Sequence, residues 1–295
     1  MKLTRYDDAG EFMKRARGPL EEQEAANNLI IGIPARLIEQ PEYYSKYPVY
    51  MATVDEGDRF IAAAVRTPPH CVIIYSVLSG DPMPLRMIAD DLIAMGSGCD
   101  EDSPVRRVSG VTAHSATSLA FANVWAEKTG QSFKPGMDQR IYELRKVTRP
   151  QNAPGRLRQA REDELDALAE WVHRFNIDCR LPAISKEEAR EVATRLLHNG
   201  AIFFWEVEGK PVSMAGRGRS SSHGITVNMV YTPPELRGRG YASACVAALS
   251  QQLLDAGWQF CTLYTDLANP TSNAIYQRIG YRPVCDSNEY DFIVE

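Results

Sequence analysis

Residues 226–249 read TVNMVYTPPELRGRGYASACVAAL, and this stretch decides the fold. Val227, Met229 and Tyr231 alternate with Asn228 and Val230 at the period of a strand, and Pro233-Pro234 ends it because neither proline has a backbone donor. After the turn, Ala242, Cys245, Val246 and Leu249 recur at helical spacing, so the Arg237-Gly238-Arg239-Gly240 run lies where a helix begins. Backbone N–H groups are free at a helix start, and the positive end of its dipole adds to them. Such a place suits a phosphate or pyrophosphate. Gly238 and Gly240 let the main chain approach an anion without side-chain obstruction, and Arg237 and Arg239 add charge.

A P-loop needs Gly-x-x-x-x-Gly-Lys-Ser/Thr, and a Rossmann turn needs Gly-x-Gly-x-x-Gly early in a βαβ unit; neither spacing is present. What stands here is Arg237-x-x-Gly240-x-Ala242. Further on, a strand at 260–264 is followed by Asn269-Pro270-Thr271-Ser272-Asn273-Ala274-Ile275-Tyr276, and then by Gly280-Tyr281. In order and distance the two motifs resemble those of the GNAT acyltransferase superfamily, over about Arg156 to Glu295. The resemblance implies acetyl-CoA as co-substrate. Its pyrophosphate would lie on the backbone of Gly238, Arg239, Gly240, Tyr241, Ala242 and Ser243, beside Arg237. Main-chain groups of Val230, Tyr231 and Thr232 would meet the pantetheine arm and thioester, with Asn269 and Asn273 at the helix start on the other side.

The 295 residues are 44% hydrophobic, enough for sizeable cores and more in keeping with two domains than one. The chain has no apolar run of membrane-spanning length. Met1 to Asp8 carries charges where a signal peptide needs an apolar core, so the expected compartment is the cytoplasm. Six cysteines are scattered without a Cys-x-x-Cys or Cys/His metal spacing, which predicts free thiols and no metal. A net charge of -5 argues against nucleic acid as a partner, and the resemblance implies a small-molecule or peptide amine as the acceptor.

Read in order, the chain repeats itself. Helical patterns at 9–16 and 20–37, broken by Pro19, precede strands at 49–54, 59–65 and 71–77. A helix at 84–95, a short strand at 105–109, a helix at 115–129 and a strand at 137–147 follow. After the linker Pro150-Gln151-Asn152-Ala153-Pro154-Gly155 the same order returns. A strand at 156–161 leads to helices at 163–175 and 186–198, strands at 201–208, 211–219 and 224–232, the helix after the Arg/Gly turn, a strand at 260–265, a helix at 271–279 and a strand at 290–294. The expected fold is α/β with mixed sheets: two GNAT-like domains in tandem, residues 1–148 and 149–295. In the first, Leu78-Ser79-Gly80-Asp81-Pro82-Met83-Pro84 has no arginine and puts an aspartate where phosphate would sit, so that copy reads as degenerate.

Acyl transfer to an amine needs a neutral amine, a stabilised oxyanion and a proton for the departing thiolate. Tyr276 is the candidate acid, although Ile275 and Ile279 also mark an apolar face on which an aromatic would simply pack. No carboxylate lies in 224–232, so the base stays open among His223, Glu206, Glu289, Asp291 and a water relay. A histidine after three serines also reads as an ordinary surface turn. The loop at 176–185 and the first domain are expected to line the acceptor pocket, with Asp178 available to a cationic amine. A binding protein that keeps the loop without turnover, or a tandem enzyme acting on a thiol-sugar precursor, would share these motifs.

Overall fold

The computed structural model describes residues 1–44, 46–150, 153–179 and 181–293. Gln151 and Asn152 of the expected linker, Arg180 of the expected pocket loop, and Val294, the expected end of the last strand, lie outside them. The first half runs β1 (Lys2–Arg5), α1 (Ala9–Glu21), α2 (Asn28–Glu39), β2 (Tyr50–Glu56), β3 (Arg59–Arg66), β4 (Val72–Ser76), α3 (Pro82–Gly96), β5 (Gly110–His114), α4 (Ser115–Thr129) and β6 (Phe133–Leu144). The second repeats it as β7 (Arg156–Gln159), α5 (Leu165–Asp178), α6 (Lys186–His198), β8 (Ile202–Val207), β9 (Lys210–Ser220), β10 (Gly224–Tyr231), α7 (Tyr241–Asp255), β11 (Phe260–Asp266), α8 (Pro270–Ile279) and β12 (Arg282–Phe292).

The twelve strands of the described residues form one sheet, in the order β1-β2-β3-β4-β5-β12-β6-β11-β10-β9-β8-β7. Each half therefore gives its last strand to the other. β12 pairs antiparallel with β5 through Ser287↔His114 to Asp291↔Gly110, and β6 pairs antiparallel with β11 through Cys261↔Leu144 to Asp266↔Gln139. The cores follow the exchange. Phe292 stacks on Trp125 in the first half's core, with ring centroids 5.2 Å apart, while Tyr142 and Leu144 are fully buried in the second.

Some sequence expectations move. The short strand expected at 105–109 is a loop, because the buried Arg66 guanidinium takes the carbonyls of Pro104, Val105 and Arg107; the strand is β5, just after it. The last strand starts eight residues earlier than the expected Tyr290, at Arg282. Pro19 does not end α1, since it falls in the final turn and its missing N–H costs the helix a single bond, that to the Arg15 carbonyl.

In the second half, alternation along the central strands sorts side chains to two faces. Ile225, Val227, Cys261 and Leu263 pack on one face with α7 and α8. Thr226 and Thr262 point to the other, where their hydroxyls lie 3.2 Å apart. That second face is covered partly by α5 and α6, through Leu168, Val172, Ala189 and Ala193, and partly by α2 of the first half.

Candidate functional site

Two parallel strands of the second half begin together and then part. β10 and β11 are paired only over Gly224↔Phe260, Ile225↔Cys261 and Thr226↔Thr262. Beyond Thr226, β10 stays with β9 as far as Tyr231↔Met214, and β11 stays with β6 as far as Asp266↔Gln139. The facing edges of 227–231 and 263–266 are thus outside each other's ladder and bound a wedge at the carboxyl ends of the strands, where ligands of open α/β sheets bind. A bulge sharpens it. Between Asn228↔Gly216 and Tyr231↔Met214, two residues of β10 stand against one of β9, and Met229 takes φ 50. A bulge re-aims the main chain, here at Met229 and Val230.

The helix that starts beside this wedge is α7. Its N-cap is Gly240, at φ 78 and ψ 4, and no side chain caps it, so the first-turn N–H groups of Tyr241, Ala242 and Ser243 have no capping acceptor. Gly238 also has φ 78, a conformation that side chains other than glycine rarely take, and nothing lies within 4 Å of the position a Cβ would occupy. Two left-handed glycines on either side of Arg239 leave an open, donor-rich cradle. Arg239 is exposed, held only by a 3.5 Å contact to the Glu235 carbonyl, and is free to add charge. Arg237 is placed differently from expectation. Its Nε donates to the Thr232 carbonyl at 2.9 Å, its guanidinium pairs with Asp178, and it lies over the Tyr231 ring, so it braces the loop against α5. Asp178 is accordingly engaged and is not a free attractor for a cationic amine.

The first half has the same parting of strands without the rest. β4 and β5 pair only over Val72–Ile74, yet β4 carries no bulge against β3. Asp81 caps α3 by accepting from the Met83 N–H at 2.9 Å, and Pro82 and Pro84 remove two donors from the first turn. An anion finds its place already filled by a carboxylate. The space at this wedge is about 20 Å³, lined by side chains such as Tyr75, His114 and Tyr264.

Of the main-chain groups expected at the arm, those of Val230 lie at the bulge. The Tyr231 carbonyl accepts from Ser213 Oγ at 3.0 Å and the Thr232 carbonyl from Arg237, so both are partly engaged. Asn269 caps α8, accepting from the Ser272 N–H at 3.0 Å. The Asn273 carboxamide donates to the carbonyls of Asp266 and Asn269 and accepts from the Tyr142 hydroxyl at 2.9 Å. Its side chain therefore fixes α8 against β11 and the exchanged β6. Tyr276 is 8% exposed, edge-on to Tyr281, and its hydroxyl makes no hydrogen bond among the described residues. Burial, with Cys179 nearby, raises its pKa, so the phenol keeps its proton at neutral pH.

The base candidates fall elsewhere. His223 precedes β10 at the end opposite the wedge, about 26 Å from Tyr231 at ~3.3 Å per strand residue. There its Nδ1 lies 2.7 Å from Glu24 of the first half, whose other oxygen accepts the His223 backbone N–H. That hydrogen bond raises the histidine's pKa. His223 ties the halves together and is not placed to act as a base. Glu206 is held by Arg156 and Arg158, whose hydrogen bonds lower its pKa. Glu289 and Asp291 lie beside Cys71, at the strand ends away from the wedge; these three are the one cluster of metal-ligating type among the described residues. A water relay remains.

The sequence reading passed over Asn228 and Tyr264. Asn228 follows Thr226 by two on the face opposite α7, and its carboxamide oxygen is enclosed without a partner. The Tyr264 hydroxyl accepts from Asn28 of α2 at 3.3 Å. A polar residue at every second place in an apolar strand was the available signal.

The family model described as FR47-like protein matches residues 207–290. No curated protein matches in sequence. Among solved structures, a Drosophila protein is similar at 12% identity and TM-score 0.68, covering 99% of this chain and 98% of its own. A GCN5-related N-acetyltransferase from Sphaerobacter thermophilus is similar at 13% identity and TM-score 0.60, covering 99% and 96%. A tandem GNAT protein from the clavulanic acid biosynthesis pathway, at 12% identity and TM-score 0.55, covers 99% and 98%. The fold is that of GNAT proteins carried twice along one chain.

Proposed function

We propose that this chain, which has the tandem GNAT fold, is an acetyl-CoA-dependent N-acetyltransferase whose second half alone binds the donor and which acetylates a primary amine by direct attack. One observation carries the assignment: the uncapped, doubly glycine-turned start of α7 stands beside the bulged strand wedge, whereas its counterpart in the first half is capped by Asp81. Free N–H groups at a helix start match a pyrophosphate. The donor supplies an acetyl thioester. The chain's own residues do the rest: Gly238 to Ser243 hold the phosphates, the main chain at Val230 steers the arm, and Tyr276 offers a proton at its hydroxyl. With no carboxylate on β10, and with Asp266 of β11 turned to accept the Ala268 N–H, the amine loses its proton to water held on the polar face of Thr226, Asn228 and Tyr264.

Titration calorimetry with acetyl-CoA tests this directly. Binding at a single site per chain, together with release of thiol in the presence of amines, is expected. Binding at two equal sites would show that the first half is not degenerate. Binding with no thiol release above background from any amine would make the protein a sensor and not an enzyme.

A further inference from the structure

The face of the wedge turned away from α7 lies between the halves. Thr226 Oγ1 reaches Asn28 Oδ1 at 3.4 Å, and Asn28 reaches the Tyr264 hydroxyl, so α2 of the first half roofs the place where β10 and β11 part. On β9, a Cβ built on Gly218 would meet the Asn228 amide, and the next residue, Arg219, packs on Gly32 of α2. Arg219 shares this junction with Tyr264, Tyr44 and Arg36. Arg36 and Arg195 of α6 both lie over the Tyr43 ring, at 4.7 and 5.9 Å.

Two features of this junction have no internal explanation. First, three arginines converge, and among the described residues none of them pairs with a carboxylate; the groups facing Arg219 are phenols and another arginine. Second, of the five enclosed side-chain polar atoms left without partners among the described residues, two lie here and are of opposite kinds. Arg219 Nε is a donor and Asn228 Oδ1 an acceptor. A half-buried guanidinium whose Nε is enclosed without a counter-ion is disfavoured, and burial lowers the pKa of Arg219 accordingly. A ligand that brings an anion to Arg219 and an N–H to Asn228 satisfies both.

We propose that the acceptor is a primary amine carrying a carboxylate, an amino-acid-like molecule. Its carboxylate is taken by Arg219, with Arg36 and Arg195 around it, and its amine is presented to the wedge by the Asn228 carboxamide oxygen. The inference rests on the transferase reading and names its substrate class. In the reaction the amine nitrogen forms a bond to the acetyl carbonyl carbon, the carbon–sulfur bond breaks, the nitrogen gives up a proton and the sulfur leaves as the thiol. Carboxylate recognition by a planar guanidinium favours arginine over lysine.

The test uses the full chain with the proteinogenic α-amino acids, β-alanine and γ-aminobutyrate, each beside its carboxamide and its aminophosphonate analogue. Thiol release from acetyl-CoA is measured, and binding is titrated in the presence of CoA. At least one carboxylate is expected to exceed its amide by about tenfold or more in kcat/KM and in affinity, as for a site whose polar groups are left unpaired by the wrong ligand. Arg219→Met should erase that preference through KM while leaving acetyl-CoA affinity unchanged. Because Arg219 has no internal partner, the variant should melt no lower than the parent, whereas loss of a structural arginine would lower Tm. Equal use of amides and acids, or a preference that survives Arg219→Met, overturns the inference. A stronger phosphonate response reassigns the anion to phosphate. Arg219-dependent binding of a carboxylate without thiol release keeps the anion site and refutes the transferase reading alone.

Discussion

Replacing Gly240 by valine separates the ligand cradle from mere backbone architecture. At φ 78 and ψ 4 the residue is in the left-handed region, and the nearest atom to an added Cβ is the Ala153 Cβ at 3.8 Å, so no protein atom clashes. The conformational penalty for a side chain there is about 1–2 kcal/mol. For a chain of this size that lowers Tm by roughly 2–4 °C per kcal/mol, a tolerable loss. Binding suffers more. The valine side chain stands between the ligand and the first-turn N–H groups, and a hydrogen bond to a charged group contributes about 1.5–3 kcal/mol. Loss of two such bonds is about 3 kcal/mol at the low end, or roughly a hundredfold in Kd for acetyl-CoA. Gly80→Val is a control, because Gly80 has φ 79, open space around it and a place just before the N-cap of α3 in the first half. Calorimetry on both variants, each shown by circular dichroism to be folded, decides the matter. A folded Gly240→Val protein that binds acetyl-CoA like the parent, or equal weakening by Gly80→Val, refutes the pyrophosphate assignment.

Tyr276→Phe should lower single-turnover chemistry by about a hundredfold with acetyl-CoA affinity unchanged, and Tm should hold because the hydroxyl has no internal hydrogen bond; unchanged chemistry reduces Tyr276 to packing. His223→Gln should leave turnover intact, contrary to a role as base. Its effect on stability follows from the raised histidine pKa and the lowered Glu24 pKa. Burial pushes Glu24 up, but hydrogen bonds from Ser221 and His223 outweigh that effect. The pair's contribution is therefore full between the ordinary values of 4.5 for Glu24 and 6.5 for His223. It fades as pH rises through the histidine's raised value, and again as pH falls through the glutamate's lowered one. Melting of parent and variant should converge at alkaline pH, and a difference that grows there contradicts the ion pair. Cleavage at an engineered protease site near residues 150–153 should leave the two fragments bound through dilution, because β12 and β6 each complete the other half's sheet, and fragments that separate as folded monomers would contradict the strand exchange.

Much of the second half was legible because its elements advertise themselves locally. Pro233-Pro234 stops a strand, two glycines open a helix, and Ser185 with Glu188 forms the reciprocal cap of a helix whose bounds, Lys186–His198, match the periodicity. The strand exchange was not legible, since β6 and β12 read identically whichever half receives them; register is set by partners far away in sequence. The misreading of His223 has a related cause. A sequence shows that a histidine adjoins a strand, but which end of that strand faces the ligand depends on where its parallel neighbour parts from it. The arginine junction was hidden for the same reason, because Arg36 lies more than a hundred residues before Arg195 and Arg219 and meets them only when α2 crosses to the second half.

The exchange bears on why a first half without a cradle is needed at all. Arg140 of β6 pairs with Asp286 of β12, the Tyr142 hydroxyl positions Asn273 on α8, and Phe292 closes the core around Trp125. The centre of the sheet is thus made of strands that neither half can withdraw without exposing its own core. Hinged separation of the halves would break the β12·β6 ladder, so the roof that α2 forms over the wedge is rigidly registered to it. Access to the polar face then comes at its rim, where the turn Pro41–Tyr44 meets α6 through aromatic and arginine contacts and not through ladder hydrogen bonds. On the proposed function, a first half without a donor cradle would supply one wall of the acceptor pocket through α2, and the strand exchange would keep that wall in register with the chemistry.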